Sequence, residues 1–353
     1  MSAAEMTSLE RVLTALGHKE PDRVPFLLPA TFQGAKDLGL ALRAFFTRPD
    51  LVAESQIRWR EKCGHDFLSN FYYGPVEIEA WGGEVIFFDD GPPNSGPPFI
   101  RAFDDIPGLR PPDVIGSRAL RKVLETTALL KEKSGGGVLI LGVVMSPFSL
   151  PVMQMGFDRY LELMTEAPGL FDRLMAVNEE FCVAWANAQV EAGASAIVYF
   201  DPVSSPTIVP RETYLKTGQK IAKRTIARIK APTATHLASG RALPIVDDIV
   251  ATGTAIISAT VREDLAAMKT ACRGRLSVIG NLNGLEMRHW TAADVEREVK
   301  KAIAAAGPGG GFILSDNHGE IPFQVPEDVL LEIAEAVRCF GRYPLGESGT
   351  HAV

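Results

Sequence analysis

Cysteine is scarce in this chain, and its placement excludes two common roles. The 353 residues include four cysteines, Cys63, Cys182, Cys272 and Cys339, and no two of them form a C-x-x-C pair. Disulfide scaffolds and zinc ribbons need closely and regularly spaced cysteines. We therefore predict buried free thiols and a cytoplasmic protein, since a reducing cytosol keeps such thiols free.

Long hydrophobic runs and an excess of positive charge are also missing. No apolar stretch reaches the roughly 18–20 residues of a membrane span, and the opening MSAAEMTSLERVL lacks the apolar core of a signal peptide. The formal net charge is −7, so no global positive field favours nucleic acid. The sequence thus predicts a protein that binds neither membranes nor nucleic acid.

What the sequence does contain is an alternation of short β-like runs with longer helical patterns. Seven segments are predicted to be buried strands: 24–30, 137–144, 195–200, 233–237, 255–258, 276–280 and 311–315. An eighth strand is predicted near 66–71. The helical patterns cover 157–193, 210–229, 241–252, 262–272, 291–306 and 326–340. Connections this short between strand and helix require parallel pairing. Eight strands predict an α/β fold closed into a (β/α)8 TIM barrel, with a doubly wound open sheet as the alternative.

The domain prediction is one barrel domain over residues 1–353. It begins with an N-terminal helical extension over 1–22, makes a β-hairpin excursion near 75–91 and ends in a C-terminal tail over 341–353. A length of this size is ordinary for a single barrel, so no second domain is needed.

Two glycine clusters argue against one common class of enzyme. The segments SGGGVLILG (134–142) and GPGGGFIL (307–314) place their glycines before a predicted strand. A dinucleotide fingerprint or a phosphate loop needs its glycines between a strand and the helix that follows it. Both clusters are therefore interpreted as helix-to-strand turns, and a nicotinamide-dependent enzyme is not supported.

Polar side chains gather where the predicted strands end. In an α/β barrel the functional residues lie at the carboxyl ends of the strands, which closure brings to one rim. The residues at these ends are Asp201, His236, Ser258, Asn281, Asp316, Asn317, His318 and Glu320. Imidazoles and carboxylates at one rim can hold a metal or move protons, although any single one can also be a loop cap. The remaining histidines are expected to face solvent: His18, His65, His289 and His351.

Four segments resemble motifs of the uroporphyrinogen decarboxylase superfamily. They are SLERVLTALGHKEPDRVPF (8–26), THLASGRALPIVDDIVATG (235–253), RLSVIGNLNG (275–284) and GGGFILSDNHGEIPFQVPEDVLLEIAEAV (309–337). The resemblance implies a (β/α)8 barrel and one of two chemistries. One branch decarboxylates uroporphyrinogen without a cofactor, and the other uses zinc to move a methyl group between a corrinoid protein and an acceptor such as a thiol.

The decarboxylase branch fits this sequence less well. Its substrate carries eight carboxylates, which call for arginines with their bidentate fork. The arginine-bearing segment of that branch corresponds to LLPATFQGAKDLGL (27–40), which contains none. Its F-x-D-I segment is not evident either, and FLSNFYYG (67–74) stands nearby. Only His318, in NHG, resembles the G-H-G turn of the decarboxylases.

The methyltransferase branch implies a zinc site that this chain has altered. His236 matches the histidine of the H-x-C motif, Ala238 replaces its cysteine, and His318 stands at or beside the second cysteine position. A catalytic zinc site needs three protein ligands and one open position, and iron also favours two histidines with a carboxylate. The third ligand would be a carboxylate, with Glu320 as the choice and Asp316 or Asp201 as alternatives. If the metal is lost, the two histidines would act as general acid and base.

The sequence thus predicts methyl transfer between methylcobalamin and a small acceptor. No D-x-H-x-x-G motif for binding a corrinoid is present, so the cobalamin would arrive on a partner protein. His236, His318 and Asp201 are the predicted catalytic residues. The predicted substrate-binding residues are Asn281, Ser258, Asn317 and Met145. A homodimer is implied by the resemblance, and the alternatives are a decarboxylase or lyase on a smaller acid and a non-catalytic barrel that binds a tetrapyrrole.

Overall fold

A computed structural model describes residues 5–345 and contains a parallel seven-stranded sheet. The strands, in chain order, are β1 (Phe67–Ser69), β2 (Val85–Ile86), β3 (Asn94–Ser95), β4 (Leu139–Met145), β5 (Ala196–Phe200), β6 (Thr233–His236), β7 (Ile256–Ser258), β8 (Ser277–Leu282) and β9 (Phe312–Asp316). The main sheet has the order β1-β4-β5-β6-β7-β8-β9. Each strand after β1 therefore pairs with the next one along the chain, as in a barrel.

The segment 24–30 closes this sheet into a barrel. Phe26 forms a parallel bridge with Leu314 of β9, and its carbonyl accepts the Asp66 N–H, just before β1, at 2.9 Å. Pro25 and Pro29 have no N–H to donate, so the segment forms a bridge instead of the full strand that the sequence predicts. The (β/α)8 fold class is confirmed, and the open-sheet alternative is wrong.

Helices surround the barrel. They are α1 (Ser8–Leu16), α2 (Thr31–Asp37), α3 (Leu42–Phe45), α4 (Pro49–Cys63), α5 (Val76–Ala80), α6 (Arg118–Ser134), α7 (Pro151–Met155), α8 (Phe157–Glu166), α9 (Pro168–Ala192), α10 (Arg211–Lys216), α11 (Gly218–Ile226), α12 (Val246–Val250), α13 (Leu265–Cys272), α14 (Ala292–Ala306) and α15 (Glu327–Phe340). The single helix predicted over 157–193 is two helices, because Pro168 starts α9 where its missing N–H costs nothing.

The excursion after β1 is only partly a hairpin. Strands β2 and β3 pair antiparallel outside the main sheet, with Val85 opposite Ser95. The residues before them form α5 instead of a strand. The predicted hairpin near 75–91 therefore exists, but its first part is a helix that carries Glu77 on a buried face.

Helix α1 closes the amino-terminal end of the barrel. Its Thr7 side chain caps the helix, and Val12 packs with Leu27 and Phe67 from the barrel interior. Buried ion pairs lie beside this contact. Asp66 accepts from Arg11 at 2.7 Å and from Arg23 at 2.8 Å. The amino end is therefore packed with apolar side chains and held by charges that are paired.

The predictions for the cysteines and histidines are confirmed for some residues and wrong for others. Cys63, Cys182 and Cys272 are buried free thiols as predicted, but Cys339 is exposed. His65 was expected at the surface and is buried beside Asp66, with 2 % of its surface exposed.

Some predictions fall outside residues 5–345: the first four residues of the extension, the tail from residue 346 onward, and His351. Within the described range, none of the helices combines the length and the apolar character that crossing a bilayer requires.

Candidate active site

A cavity of about 220 Å³ extends from the barrel interior to the carboxyl ends of the strands. Aliphatic side chains from the strands form most of its wall. Aromatic side chains line the rest: Phe67, Phe71, Tyr72, Tyr73, Trp185 and Phe200. No lysine or arginine among residues 5–345 lines it. The cavity is therefore apolar and holds no fixed positive charge.

The predicted site residues divide between this cavity and other places. His236, His318, Glu320 and Met145 line the cavity, together with Asp316. The other predicted residues, which are Asp201, Ser258, Asn281 and Asn317, do not line it. The ends of β4, β6 and β9 thus supply the part of the predicted rim that meets in one space.

His236 ends β6 and is held in one tautomer. Its Nδ1 accepts the N–H of Ala238 at 2.9 Å, so in the neutral ring the proton sits on Nε2. Burial, with His318 nearby, lowers the pKa of His236 to about 4. Ala238 reaches this position with φ of 51°, in the left-handed region that costs a non-glycine residue about 1–2 kcal/mol. The ring is therefore neutral near pH 7 and offers an N–H donor.

His318 lies in the turn after β9. Its Nδ1 is 2.6 Å from the hydroxyl oxygen of Ser239, and burial, with Arg262 in the vicinity, lowers its pKa. The turn is fixed by Asp316, whose carboxylate accepts the N–H of His318 at 2.7 Å and that of Gly319 at 3.1 Å. Burial raises the pKa of Asp316 to about 6. Where Nδ1 carries the proton, the Nε2 lone pair of His318 is a base.

Glu320 is the second acid of this turn. Its Oε1 accepts the N–H of Phe32 at 3.1 Å, and its Oε2 is shielded from solvent without a partner among residues 5–345. Burial, with Asp316 nearby, raises the pKa of Glu320 well above its usual value.

Asp201 lies outside the cavity and forms hydrogen bonds with side chains from two loops. Its buried carboxylate accepts hydrogen bonds from the hydroxyls of Ser146, Ser149 and Ser204, with Ser149 at 2.7 Å. These serines follow β4 and β5. These contacts make Asp201 a structural residue, and it is not beside the cavity in which the predicted catalytic histidines lie.

The three other predicted polar residues are also occupied elsewhere or enclosed. Ser258 accepts the N–H of Leu237 at 3.1 Å, and Asn281 donates to the carbonyl of Thr260 at 3.2 Å. Asn281 also lines a separate surface groove. The Asn317 amide is fully buried, and neither of its polar atoms has a partner in the described part of the chain.

Several polar side chains of the cavity were not predicted from the sequence, and two of them, Glu77 and Asn70, are almost fully buried. Glu77 is 3 % exposed, its Oε1 accepts the N–H of Met145 at 2.8 Å, and burial raises its pKa to about 8. Asn70 is 1 % exposed and donates to Thr127 at 2.8 Å and to Gln189 at 2.9 Å. The indole N–H of Trp185 is directed at the Glu77 carboxyl, and Asn70 Oδ1 has no hydrogen-bond partner within residues 5–345.

One of these two could have been found from the sequence. Asn70 directly follows β1, so the rule applied to the other strand ends would also have named it. Glu77 gave no such signal, because its segment was interpreted as one arm of a hairpin. Only the helical conformation of α5 turns it towards the barrel.

The donors do not fit the predicted zinc site. A ligating histidine must present an unprotonated nitrogen, but the Nδ1 of His236 is taken by Ala238 and its Nε2 carries the proton. Glu320 has one oxygen committed to the N–H of Phe32, and burial raises its pKa, which disfavours the ionised form that a metal ligand needs. Across residues 5–345, no three His, Cys, Asp or Glu side chains cluster closely enough to hold a metal. The set His236, His318 and Glu320 is therefore not supported as a metal site.

Known proteins resemble this chain along nearly its whole length. The chain is 27 % identical over 342 residues to the methylcobamide:CoM methyltransferase MtaA of Methanosarcina barkeri (strain Fusaro), covering 94 % of this chain and 98 % of that protein. It is 24 % identical over 274 residues to the uroporphyrinogen decarboxylase of Bordetella petrii, covering 72 % and 73 %. A solved methyltransferase from Methanosarcina mazei superposes with a TM-score of 0.85 at 22 % identity, over 95 % of this chain and 99 % of that one.

These relatives are methyltransferases and decarboxylases, so the chain is an enzyme of the superfamily that contains both. The profile of the family described as uroporphyrinogen decarboxylase (URO-D) matches residues 7–340. The chain belongs to the uroporphyrinogen decarboxylase family.

Proposed function

We propose that this protein transfers a methyl group between a cobalamin carried by a separate corrinoid protein and a small molecule bound in the cavity. The observation that carries the proposal is the absence of lysine and arginine from the cavity wall within residues 5–345. Uroporphyrinogen has carboxylates that need such partners. The relative named a methylcobamide:CoM methyltransferase also aligns over more of this chain than the named decarboxylase does, 94 % against 72 %.

The size of the cavity supports a carrier protein outside it. Pockets for drug-sized ligands measure roughly 300–1,000 Å³, and this cavity measures about 220 Å³. A macrocycle of four rings does not fit there, which also argues against a tetrapyrrole-binding barrel. The corrinoid would instead lie against the rim, with only its methyl group reaching the cavity.

The rim offers a surface for such a partner. The loops that follow β5, β7 and β8 each carry an exposed apolar side chain, namely Ile208, Val261 and Leu285, with 42 %, 42 % and 51 % of their surfaces exposed. Apolar side chains exposed together at a site's mouth are typical of protein interaction surfaces. We assign this part of the rim to the corrinoid protein.

The residues of the cavity have defined roles in such a transfer. The acceptor heteroatom forms a bond to the methyl carbon while the carbon–cobalt bond breaks, and both electrons of that bond stay on cobalt. The acceptor proton moves to a base, for which His318 offers Nε2 when its Nδ1–H donates to Ser239. His236 donates its Nε2–H to the acceptor and orients it. No step of this scheme uses a protein-bound metal.

The test uses the purified chain with free methylcobalamin and a panel of thiols, phenols and alcohols, including CoM. We expect the absorption spectrum to show loss of the methyl–cobalt bond, together with a methylated product by mass spectrometry. A parallel incubation with uroporphyrinogen measures carbon dioxide. Carbon dioxide release without any methylated product would overturn the proposal in favour of a decarboxylase.

The homodimer implied by the sequence resemblance stays a prediction, and sedimentation velocity measures it. The cytoplasmic location stays a prediction in the same way.

A further inference from the structure

Two loops at the carboxyl rim bring a serine hydroxyl against an imidazole. The Oγ of Ser239, in the loop after β6, lies 2.6 Å from the Nδ1 of His318, which is 79 positions away in the turn after β9. This distance corresponds to a hydrogen bond between hydroxyl and imidazole. Within residues 5–345 it is the only hydrogen bond that either side chain makes. The serine therefore controls how the ring of His318 is oriented.

Both loops hold the two atoms in place through main-chain contacts. The carbonyl of Ser239 accepts from the hydroxyl of Thr260 at 3.3 Å. On the other side, the carboxylate of Asp316 accepts the N–H of His318 at 2.7 Å and that of Gly319 at 3.1 Å. A ring that is bonded at Nδ1 and carried by a fixed turn presents its second nitrogen in one direction.

The second nitrogen of His318 is open to the cavity. His236 and His318 are half-buried and both line this space. The Nε2 atoms of the two rings have no partner within residues 5–345, yet neither belongs to the unpaired atoms of that range that are shielded from solvent. A Cβ atom on Gly319 would lie 3.8 Å from the Nε2 of His236, so the turn that carries His318 faces that ring. One small group can therefore contact both nitrogens.

Hydrogen bonding gives the two free nitrogens complementary roles. His236 carries its proton on Nε2, because its Nδ1 accepts the N–H of Ala238. If the Ser239 hydroxyl accepts from the Nδ1–H of His318, the Nε2 of that ring keeps a lone pair. The reverse arrangement would direct two N–H donors into a largely apolar cavity and would leave no base for the transfer. A donor beside an acceptor instead matches a group X–H, which has both a lone pair and a proton.

We propose that Ser239 is a positioning residue that holds the proton of His318 on Nδ1, and that the methyl acceptor is therefore a protic molecule, namely a thiol or a hydroxyl compound. This deepens the proposed function and rests on it. The heteroatom X accepts from the Nε2–H of His236, and X–H donates to the Nε2 of His318. As X bonds to the methyl carbon, the electron pair of the carbon–cobalt bond stays on cobalt and the proton of X–H passes to Nε2. The resulting imidazolium keeps its hydrogen bond to Ser239 and later releases the proton to solvent.

The same pair of rings distinguishes the acceptor from its methylated product. An ether or a thioether has lone pairs but no proton on X. It can accept from His236, but it has nothing to donate to His318. The site therefore binds a protic acceptor through two hydrogen bonds and the methylated product through one, which favours the release of product.

The first test locates the protons without any turnover. The six histidines of the full chain are labelled with ¹⁵N, and long-range ¹H–¹⁵N spectra at pH 8 show which nitrogen of each neutral ring is protonated. This pH lies above the ordinary histidine pKa of about 6.5. The variants His318→Gln and His236→Gln assign the two signals. We expect Nδ1–H on His318 and Nε2–H on His236, and a proton on the Nε2 of His318 would overturn the proposal.

The second test removes the hydroxyl. Ser239→Ala should move the His318 proton to Nε2 and should lower kcat/KM for methyl transfer from methylcobalamin by roughly five- to tenfold, as expected for one hydrogen bond. Ser239→Thr keeps a hydroxyl and should restore both properties. Ser134→Ala, which changes a half-buried serine at the end of α6, is the control and should alter neither. A Ser239→Ala variant that keeps its proton on Nδ1 contradicts the positioning role.

The third test examines the acceptor class by isothermal titration of the full chain at pH 8. Phenol and anisole share one ring, which suits a cavity of about 220 Å³ because an apolar cavity of about 150 Å³ holds benzene. Only phenol has an O–H. We expect phenol to bind roughly five- to tenfold more tightly than anisole, and Ser239→Ala to reduce this preference below twofold. Equal binding, no binding of phenol, or a preference that survives in Ser239→Ala would overturn the protic assignment.

The tests separate this inference from the proposed function. Proton positions and probe binding are measured without methylcobalamin. If both agree with expectation and no acceptor is methylated, the proposed function is contradicted and the role of Ser239 in orienting His318 stands.

Discussion

The acidic side chains at the two ends of the barrel have opposite electrostatic surroundings. At the amino end, Asp66 is enclosed by two arginines that reach it from α1 and from the chain just before the barrel. At the carboxyl end, Glu77 is buried and Glu320 is half-buried, neither has a cationic partner within residues 5–345, and burial raises the pKa of each. The same kind of side chain is therefore a charged structural tie at one end and a neutral hydrogen-bonding group at the other.

The difference shows how one scaffold separates stability from ligand selection. Paired charges satisfy each other and leave no bond for a ligand to make. The amino end therefore contributes to the stability of the fold, whereas the acids at the carboxyl end lower it when the unfolded chain is ionised.

The largest effect is expected at the amino end. Asp66→Ala leaves Arg11 and Arg23 buried without their shared carboxylate, so the free energy of unfolding should fall by about 3–5 kcal/mol. Urea denaturation followed by circular dichroism measures this loss. The exposed pair of Arg58 and Glu54 provides the control, since Glu54→Ala should cost less than about 1 kcal/mol. Equal losses in the two variants would contradict the contrast between the ends.

The second effect concerns stability and pH at the carboxyl end. The folded pKa of Glu77, about 8, lies above the ordinary value of 4.5. Its carboxyl therefore costs no stability below pH 4.5, and the cost grows up to pH 8. Glu77→Gln removes the cost, so its advantage in the free energy of unfolding should grow by about 2–3 kcal/mol between pH 6 and 8. A constant difference between the two proteins over this range would show that Glu77 is charged in the fold.

The third effect compares His236, which is half-buried at the cavity, with His65, which is buried at the amino end. His236→Phe removes the N–H donor in the cavity, and methyl transfer should lose about 1–3 kcal/mol of transition-state stabilisation, or roughly 5- to 100-fold in kcat/KM. His65→Phe, at the amino end, should leave kcat/KM unchanged. Steady-state assays on both folded variants measure the difference. Equal activity in the two variants would remove His236 from the proposed site.

The smallest effect compares two exposed leucines, Leu285 on the carboxyl rim and Leu13 on α1 at the amino end, with 51 % and 54 % of their surfaces exposed. Leu285→Asp should raise the KM for a methylated corrinoid protein by about fivefold, or 1 kcal/mol, because it places a charge in the proposed interface. Leu13→Asp should not change it. Both variants should react normally with free methylcobalamin, and an equal response to the corrinoid protein would place the interface elsewhere.

The sequence predicted the framework well because local signals and topology define it. The eight barrel segments follow from the alternation of apolar and helical patterns along the chain. The start of α14 follows from a capping box, in which the side chains of Thr291 and Asp294 each bond to the other's backbone N–H. The rule that function lies at strand ends also named His236 and His318, which line one cavity. Those features depend on neighbours in sequence or on the general geometry of a barrel.

The same rule failed for Asp201 because its surroundings come from another loop. Three serines, two of them after β4, enclose its carboxylate and remove it from the cavity. Glu77 was missed for the complementary reason, since nothing in its own segment indicates that Met145 and Trp185 would enclose it. Burial of a polar group depends on contacts that sequence spacing does not encode.

The sequence by itself determined a parallel barrel and predicted an enzyme site at its carboxyl rim, because periodicity and strand order are local and topological properties. The tertiary structure alone decided which carboxyl groups are charged. Asp66 meets its arginines across 43 and 55 positions of the chain, whereas Glu77 meets a backbone N–H 68 positions away and the uncharged indole of Trp185. Ionisation depends on the distance to solvent and to opposite charges, and only the folded chain sets those distances.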